Sequence, residues 1–468
     1  MSASDRSWTI ARALLWFVGL LVAALFVLDG GIGRLADRFR ARRDPGAVAA
    51  AGPAFARPAA AAAEGEAPEA PGDTGAPRGP IVAADRSKIL ALEDDCIDGT
   101  PAECKHWAMD GFYGAIESLK QGKLGRAVRV SWYGDSVIAT DAIPGRLRLR
   151  LQDELGNGGP GFVFVVPPHR FCGHEAITRS SGGSWNAHAI STSQIADGLY
   201  GVGGSTAETD DGRATIKLVA GAVSHVELYY LAQPRGGSVT VTADGKQVAR
   251  ADTRNASKQP GYAAATLDGG GAAKFDIATS GKVRLFGIDL ENPRGVVVDN
   301  FGVVSVNVKS FDAQKPEHFQ AELAHRAADL VMIMIGANEA EWLGPTDRDT
   351  RDYGAHYGKL LAEIRSARPD ASCLVVSPTD QAVAVEGSYA SRPVMPKLVS
   401  AQRDAAHAAG CAFYSTYDWM GGIGSAAKWF RKGLVGTDFQ HLSRKGAERL
   451  ADGLFGTLMA GYQKYAAH

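Results

Sequence analysis

A serine, a histidine and an aspartate are the side chains of this sequence that could carry out covalent chemistry together. Ser136 closes the run Gly134-Asp135-Ser136, and Asp438 and His441 stand three apart in Asp438-Phe439-Gln440-His441. A serine hydroxyl is a poor nucleophile until a base takes its proton, and an imidazole needs an acid partner to hold its tautomer and stabilise its charge. On a loop running into a helical turn, Asp438 and His441 can both face one point, and the helix is expected to continue from Leu442 to Leu454. Asn338, within Gly336-Ala337-Asn338-Glu339, could donate its amide to the oxyanion that an attacking serine creates. Each residue has an ordinary alternative when taken singly: a capping serine, a solvent-facing histidine, an asparagine that satisfies its own turn. For His169, His174, His188 and His318 the ordinary reading is preferred.

These residues need elements to hold them. Arg126 to Tyr133 alternates apolar and polar residues and is rich in β-branched and aromatic types, so it reads as a strand ending at Gly134. A helix is expected from Val137 to Leu151, broken or restarted at Pro144. Ser136 then stands at a helix N-terminus, where its own backbone N–H is free to bind an oxyanion. Ala328 to Ile335 is a nearly continuous apolar run, as in a parallel strand buried on both faces, and it delivers Asn338 to the C-terminal sheet edge where α/β proteins bind ligands. A further buried strand is expected around Val375 and Val376, with helices over Tyr353 to Ser366 and Met395 to Ala409.

About 165 residues separate Ser136 from Gly302, far more than the roughly 30 that a βα unit needs. From Arg213 onward the pattern becomes short alternating runs: 215–219, 224–231, 238–242, 273–277 and 282–286. Most are bounded by Gly, Asn, Asp or Pro, as in an antiparallel sandwich. The catalytic portion therefore reads as α/β and the insert as all-β.

Gly-Asp-Ser, a Gly after an apolar strand (Gly295 to Gly302), Gly-x-Asn and Asp-x-x-His, in that order, resemble the SGNH, or GDSL-like, hydrolase superfamily. Trp419-Met-Gly-Gly422 with Trp429, and Leu147 to Gln152 followed by Gly156 to Gly161, are similar to the peptidoglycan O-acetylesterases of Gram-negative envelopes. The resemblance covers roughly residues 105 to 465. It implies Ser136 as nucleophile, His441 as base and Asp438 as orienting acid, with an oxyanion hole of Gly302 N–H, the Asn338 side chain and Ser136 N–H. It also implies an α/β/α three-layer fold around a parallel sheet, with an inserted carbohydrate-binding-like β-domain of jelly-roll or sandwich type. Val137 and Glu339 depart from many relatives. Asp380 and Trp342 are candidates for lining the acyl or sugar site, beside plain core and loop roles.

The expected organisation is a membrane anchor with a basic flank over 1–43 and an Ala/Pro-rich disordered linker over 44–83. The catalytic domain follows in two parts, 84–168 and 296–468, around an insert at 169–295. Ala13 to Leu28 is an uncharged apolar run that reads as a signal anchor. Arg34, Arg38, Arg40, Arg42 and Arg43 after it would favour a cytoplasmic C-terminus by the positive-inside rule. Against this, Asp37 and Asp44 are interspersed, and an enzyme acting on a polymeric sugar ester has its substrate outside. The expectation is an inner-membrane anchor with the catalytic domain in the periplasm.

With 468 residues, a net charge of −1 and 45% hydrophobic content, the chain can bury one α/β core and a smaller β-core. It has no basic stripe interleaved with aromatics, so no nucleic-acid partner is expected. Of five cysteines, Cys96 and Cys104 are close enough for a surface bridge, whereas Cys373 and Cys411 read as buried thiols. No His/Cys cluster has metal-ligand spacing, so a mechanism without metal or cofactor is expected. The expected partners are an acetylated glycan and, through the N-terminal helix, the membrane; a monomer is expected. The reading is a serine O-acetylesterase acting on a cell-envelope polysaccharide, most simply peptidoglycan. The alternatives are a polysaccharide O-acetyltransferase, a lipid or thioester hydrolase, and a glycan-binding protein with an idle site.

Overall fold

A sheet of six strands carries every motif residue at or just beyond one of its edges. The computed structural model describes residues 91–467, and the expected anchor and linker lie outside the described residues. The strands are β1 (Leu92–Glu93), β2 (Val128–Gly134), β3 (Val296–Gly302), β4 (Leu330–Met334), β5 (Ser372–Val376) and β6 (Ala412–Tyr414). Their order is β1-β6-β5-β4-β2-β3, parallel throughout except for β1, which pairs antiparallel with β6. Strands β3, β4, β5 and β6 are buried along their whole length, which is why β4 reads as an unbroken apolar run rather than an alternating one, while β3 buries Asp299 and Asn300 among its apolar residues.

Side chains alternate between the two faces. Val130, Trp132 and Met332 pack against helices Asp110–Lys120, Ala142–Leu155 and Arg444–Ala466, while Tyr133, Val331 and Ile333 pack against helices Pro316–Arg326, Asp347–Ala367 and Met395–Ala408. The helices have the spacing this demands. In Asp347–Ala367, Tyr353, Tyr357, Leu360, Leu361 and Ile364 form one buried stripe, and the Thr346 hydroxyl caps the first turn by accepting from Asp349 N–H. Among the described residues, no helix is long and apolar enough to cross a membrane.

The segment between the helix Ala142–Leu155 and β3 forms two antiparallel sheets. One has Val283–Glu291 near its centre, flanked by His225–Ala232, Ser205–Thr209 and the short strand Gly161–Val163; the other runs Lys246–Asp252, Ser238–Ala243, Lys274–Ser280, Arg213–Leu218, Ile177–Gly182. Their inner faces share an aliphatic core that includes Ile216, Val226, Val241, Ile277 and Ile288. The outer face of the first sheet contributes Tyr229, Leu231 and Phe286 to the core of the α/β portion. Val283–Glu291 is buried along all nine residues for that reason: it is covered on both sides.

Charge fixes this contact as well. Arg326 is fully buried and bonds Asp299 of β3 (2.8 Å) together with Asp289 (3.1 Å) and Glu291 (2.8 Å) of the inserted strand. Arg129 of β2 adds a second guanidinium on Glu291 at 2.7 Å, and Ser131 Oγ donates to Asp299 at 2.7 Å.

Two expectations are corrected. Cys373 and Cys411 are joined in a disulfide, not left as thiols. Leu374 and Ala412 are paired across β5 and β6, so the preceding cysteines lie side by side, with Cα atoms 4.7 Å apart. Cys96 and Cys104 form the second bridge, and Cys172 is free and buried. The helical break after Ser136 falls at Asp141, whose φ of 66° is left-handed, and not at Pro144, which sits in the first turn of the next helix.

Truncating Arg326 to alanine leaves three buried carboxylates short of their partner. Urea unfolding of the Arg326→Ala variant is expected to show a loss of about 3–5 kcal/mol. A loss below about 1 kcal/mol, the range of an exposed pair, would contradict this role.

Candidate active site

The motif residues converge because the strands that deliver them are in register. Gly134 of β2 is paired with Gly302 of β3 on one side and with Met334 of β4 on the other. The chain after each of these residues therefore leaves the sheet at the same level. Two glycines make the close turn possible. A Cβ on Gly134 would lie 2.3 Å from Ile138 Cγ1, and one on Gly302 would lie 2.3 Å from the backbone nitrogen of Ala139, so the short helix Ser136–Ala139 can settle directly on the sheet edge.

Ser136 is the first residue of that helix. Its hydroxyl lies 2.8 Å from His441 Nε2, and His441 Nδ1 lies 2.8 Å from Asp438 Oδ2. The second oxygen, Asp438 Oδ1, accepts the backbone N–H groups of His441 and Gln440, each at 3.0 Å. Burial works to raise the Asp438 carboxyl, but those two amides and the imidazole outweigh it and hold the pKa below the usual value. The acid is thus kept ionised opposite the imidazole. Phe439, between acid and base, takes a left-handed φ of 56° and buries its ring, which lets the two polar neighbours turn back to the same point. The hydroxyl, imidazole and carboxylate form a proton relay with the geometry of an activated serine.

The three expected oxyanion donors stand in different states. Ser136 N–H occupies the first position of its helix, where no intrahelical acceptor exists. Gly302 N–H donates to Asn300 Oδ1 at 2.9 Å, so Asn300 must share or release that hydrogen for an oxyanion to use it. Asn338 Nδ2 donates one hydrogen to Val306 O at 2.7 Å and carries a second.

Reading the sequence missed a bridging residue. Asp135 is buried; its Oδ1 accepts Val137 N–H at 3.0 Å and its Oδ2 accepts Ala337 N–H at 3.3 Å. One carboxylate thereby ties the serine's helix to the turn that carries Asn338. Burial pushes its pKa up to about 6, against the opposing pull of those amides and of His441. A capping aspartate just before the helix was a legible signal. Glu339, also buried, accepts Val308 N–H at 2.7 Å and so holds the loop that follows Gly302. Burial raises its pKa to about 7.

Of the two residues offered for the substrate wall, Trp342 is exposed at the end of the turn after Asn338, whereas Asp380 is buried. Asp380 Oδ2 accepts Ser391 Oγ at 2.7 Å and Ala426 N–H at 2.9 Å, so it caps the helix Ser425–Arg431 and has no open face toward a ligand. Among the described residues there is no group of three or more His, Cys, Asp or Glu side chains placed to hold a metal ion.

Residues 278–449 match the GDSL-like lipase/acylhydrolase family, a span that begins within the inserted strands and takes in Gly302, Asn338, Asp438 and His441. Together with the fold, this match supports a serine hydrolase with esterase chemistry of the SGNH type. It is similar to a solved peptidoglycan O-acetylesterase, with 25% identity, a TM-score of 0.64, and coverage of 75% of this chain and 96% of that one. Fainter likenesses include a family two carbohydrate esterase from Clostridium thermocellum in complex with cellohexaose, at 10% identity and TM-score 0.24 over 60% of this chain and 100% of that one. An acetyl xylan esterase stands at 13% identity and TM-score 0.27, over 34% of this chain and 79% of that one. No curated protein matches the chain in sequence.

In an Asp135→Asn variant one of the two acceptors becomes a donor facing an N–H group. The expected result is a fall in kcat of about 10–100-fold on a small acetyl ester with KM nearly unchanged, since a hydrogen bond to a charged group is worth about 1.5–3 kcal/mol. Retention of wild-type kcat would contradict the bridging role.

Proposed function

We propose that this esterase removes O-acetyl groups from a cell-envelope polysaccharide, and that the polysaccharide is peptidoglycan. The observation that carries the reaction is the Ser136–His441–Asp438 relay at 2.8 Å for each link. His441 takes the Ser136 proton as Oγ attacks the acetyl carbonyl. The tetrahedral oxyanion is met by Ser136 N–H, Asn338 Nδ2 and, once released by Asn300, Gly302 N–H. His441 then protonates the departing sugar hydroxyl, leaving an acetyl-enzyme. Water, deprotonated by the same imidazole, attacks the ester; acetate leaves and the proton returns to Ser136.

The polymer is supported by the likeness to a peptidoglycan O-acetylesterase and by the open setting of the relay, with His441 and Asp438 side chains 42% and 52% exposed. A buried acyl tunnel would cover them. On this reading the antiparallel sheets between Ser136 and Gly302 serve to contact glycan. The N-terminal apolar run and its linker hold the enzyme at the outer face of the inner membrane, within reach of the polymer.

Acetate release from O-acetylated peptidoglycan and from a small acetyl ester, compared for wild type and Ser136→Ala, tests this directly. Release from both by wild type, with a loss of about 10⁴-fold or more in the variant, is expected. Serine-dependent release from the small ester alone would keep the chemistry and remove peptidoglycan as the substrate. Transfer of acetyl to an added glycan instead of to water would make the enzyme a transferase.

A further inference from the structure

Exposed apolar side chains gather where the active-site strands end. Among the described residues, Trp342 follows β4, Val385 and Tyr389 follow β5, and Ile423 follows β6, all of them at least 44% exposed. These are the C-terminal ends of three adjacent strands, beside the strand that delivers Ser136. An apolar group left in water costs free energy, so side chains exposed at this edge are ones that a ligand bound there would gain by covering.

Tyr389 is the best supported of them. It lies on the hairpin Ala382–Val385 and Ser388–Ser391, joined by Glu386 and Gly387 with φ of 47° and 79°, the conformation of a tight two-residue turn. The register pairs Ala384 with Tyr389 and Ala382 with Ser391, which puts these four residues on one face. On that face the Tyr389 ring rests 4.2 Å from the Phe439 ring, at 31° to it. Phe439 is the buried residue between the acid and the base. The foot of the hairpin is held on both sides of the site: Gln381 Nε2 donates to Ala337 O at 2.8 Å, and Ser391 Oγ accepts Gly424 N–H at 2.7 Å, next to Ile423. The Tyr389 ring is therefore backed by Phe439, fixed in place, and still 52% exposed.

A ring that presents an apolar face and a hydroxyl at its edge matches a sugar, whose C–H face is apolar and whose rim carries hydroxyls. An acyl chain would need a continuous apolar channel, and here Glu386 and Ser388 stand exposed among the apolar residues. Resting on the peptidoglycan reading above, we infer that Tyr389, backed by Phe439 and Phe430, is the platform for a sugar unit neighbouring the one that carries the reacting acetyl group. It sets specificity for polymer over small ester and takes no part in the chemistry.

The test compares kcat/KM on O-acetylated peptidoglycan fragments with that on a small acetyl ester for the full-length wild type, Tyr389→Ala and Tyr389→Phe. The expected outcome is that Tyr389→Ala lowers the glycan-to-ester ratio about ten-fold, mainly through KM on the glycan, and that Tyr389→Phe recovers most of it. An equal loss on both substrates would assign Tyr389 to propping Phe439 and the His441 loop, and would overturn the platform. An unchanged ratio would overturn it too. A preference for long-chain acyl esters that Tyr389→Ala abolishes would give the surface to an acyl chain and reject the sugar. If the wild type released no acetate from the glycan while cleaving the small ester, the peptidoglycan reading would fail and this inference with it, an outcome distinguishable from an unchanged ratio in an active enzyme.

Discussion

The arrangement depends on one carboxylate having two claims on it. Asp135 accepts an amide from the serine's helix and an amide from the turn of Asn338, and it does so in full burial. A buried carboxylate is costly unless hydrogen-bonded, so these bonds tolerate little drift: moving either segment leaves a charge without a partner. The registry of Gly134, Gly302 and Met334 brings the three strand ends level, and Asp135 converts that rough adjacency into fixed spacing between Ser136 and Asn338. On the other flank, the acid–base loop is set by Asp438, which also accepts two backbone amides in addition to the imidazole. Ser136 and His441 thus come from segments about 300 residues apart in sequence, each positioned by an aspartate bonded to backbone N–H groups.

Such a site must survive a long insertion between two of its strands. The two antiparallel sheets return to the α/β portion through Val283–Glu291, which runs on into β3, and through the charges gathered on Arg326. Buried ion pairs contribute little net stability relative to apolar packing, but they penalise any arrangement in which one partner is missing. Asp299 belongs to the strand that ends in Gly302, and Asp289 and Glu291 to the inserted strand. The network therefore ties the placement of the insert to the strand that carries an expected oxyanion donor.

Much of this was legible in the sequence, and the failures have physical causes. Continuous apolar runs marked β4 and β5, because strands buried on both faces have no polar side to show. Ser136, Asp438 and His441 were legible as a candidate set because Gly-Asp-Ser, Gly-x-Asn and Asp-x-x-His stand in the order of the hydrolases they resemble, which singles them out among 11 histidines and 51 acidic residues. The Cys373–Cys411 bridge was not legible: it depends on which strands are neighbours, and two buried cysteines far apart in sequence look the same as thiols. Gly302 showed its place but not that Asn300, two residues earlier, engages its N–H. The hairpin carrying Tyr389 did leave a trace, two alternating runs around Glu386-Gly387, and went unread because its residues are too few to stand out. Asp380 looked available only because its partners, Ser391 and Ala426, come from segments that fold back on it.

The central claim is that Ser136 is the activated nucleophile. Incubating the protein with a small phosphonate ester that traps nucleophilic serines, followed by mass spectrometry of its peptides, tests this most directly. The account predicts a single adduct, on the peptide containing Ser136. An adduct on any other residue, or none from a folded protein that still hydrolyses an acetyl ester, would contradict it.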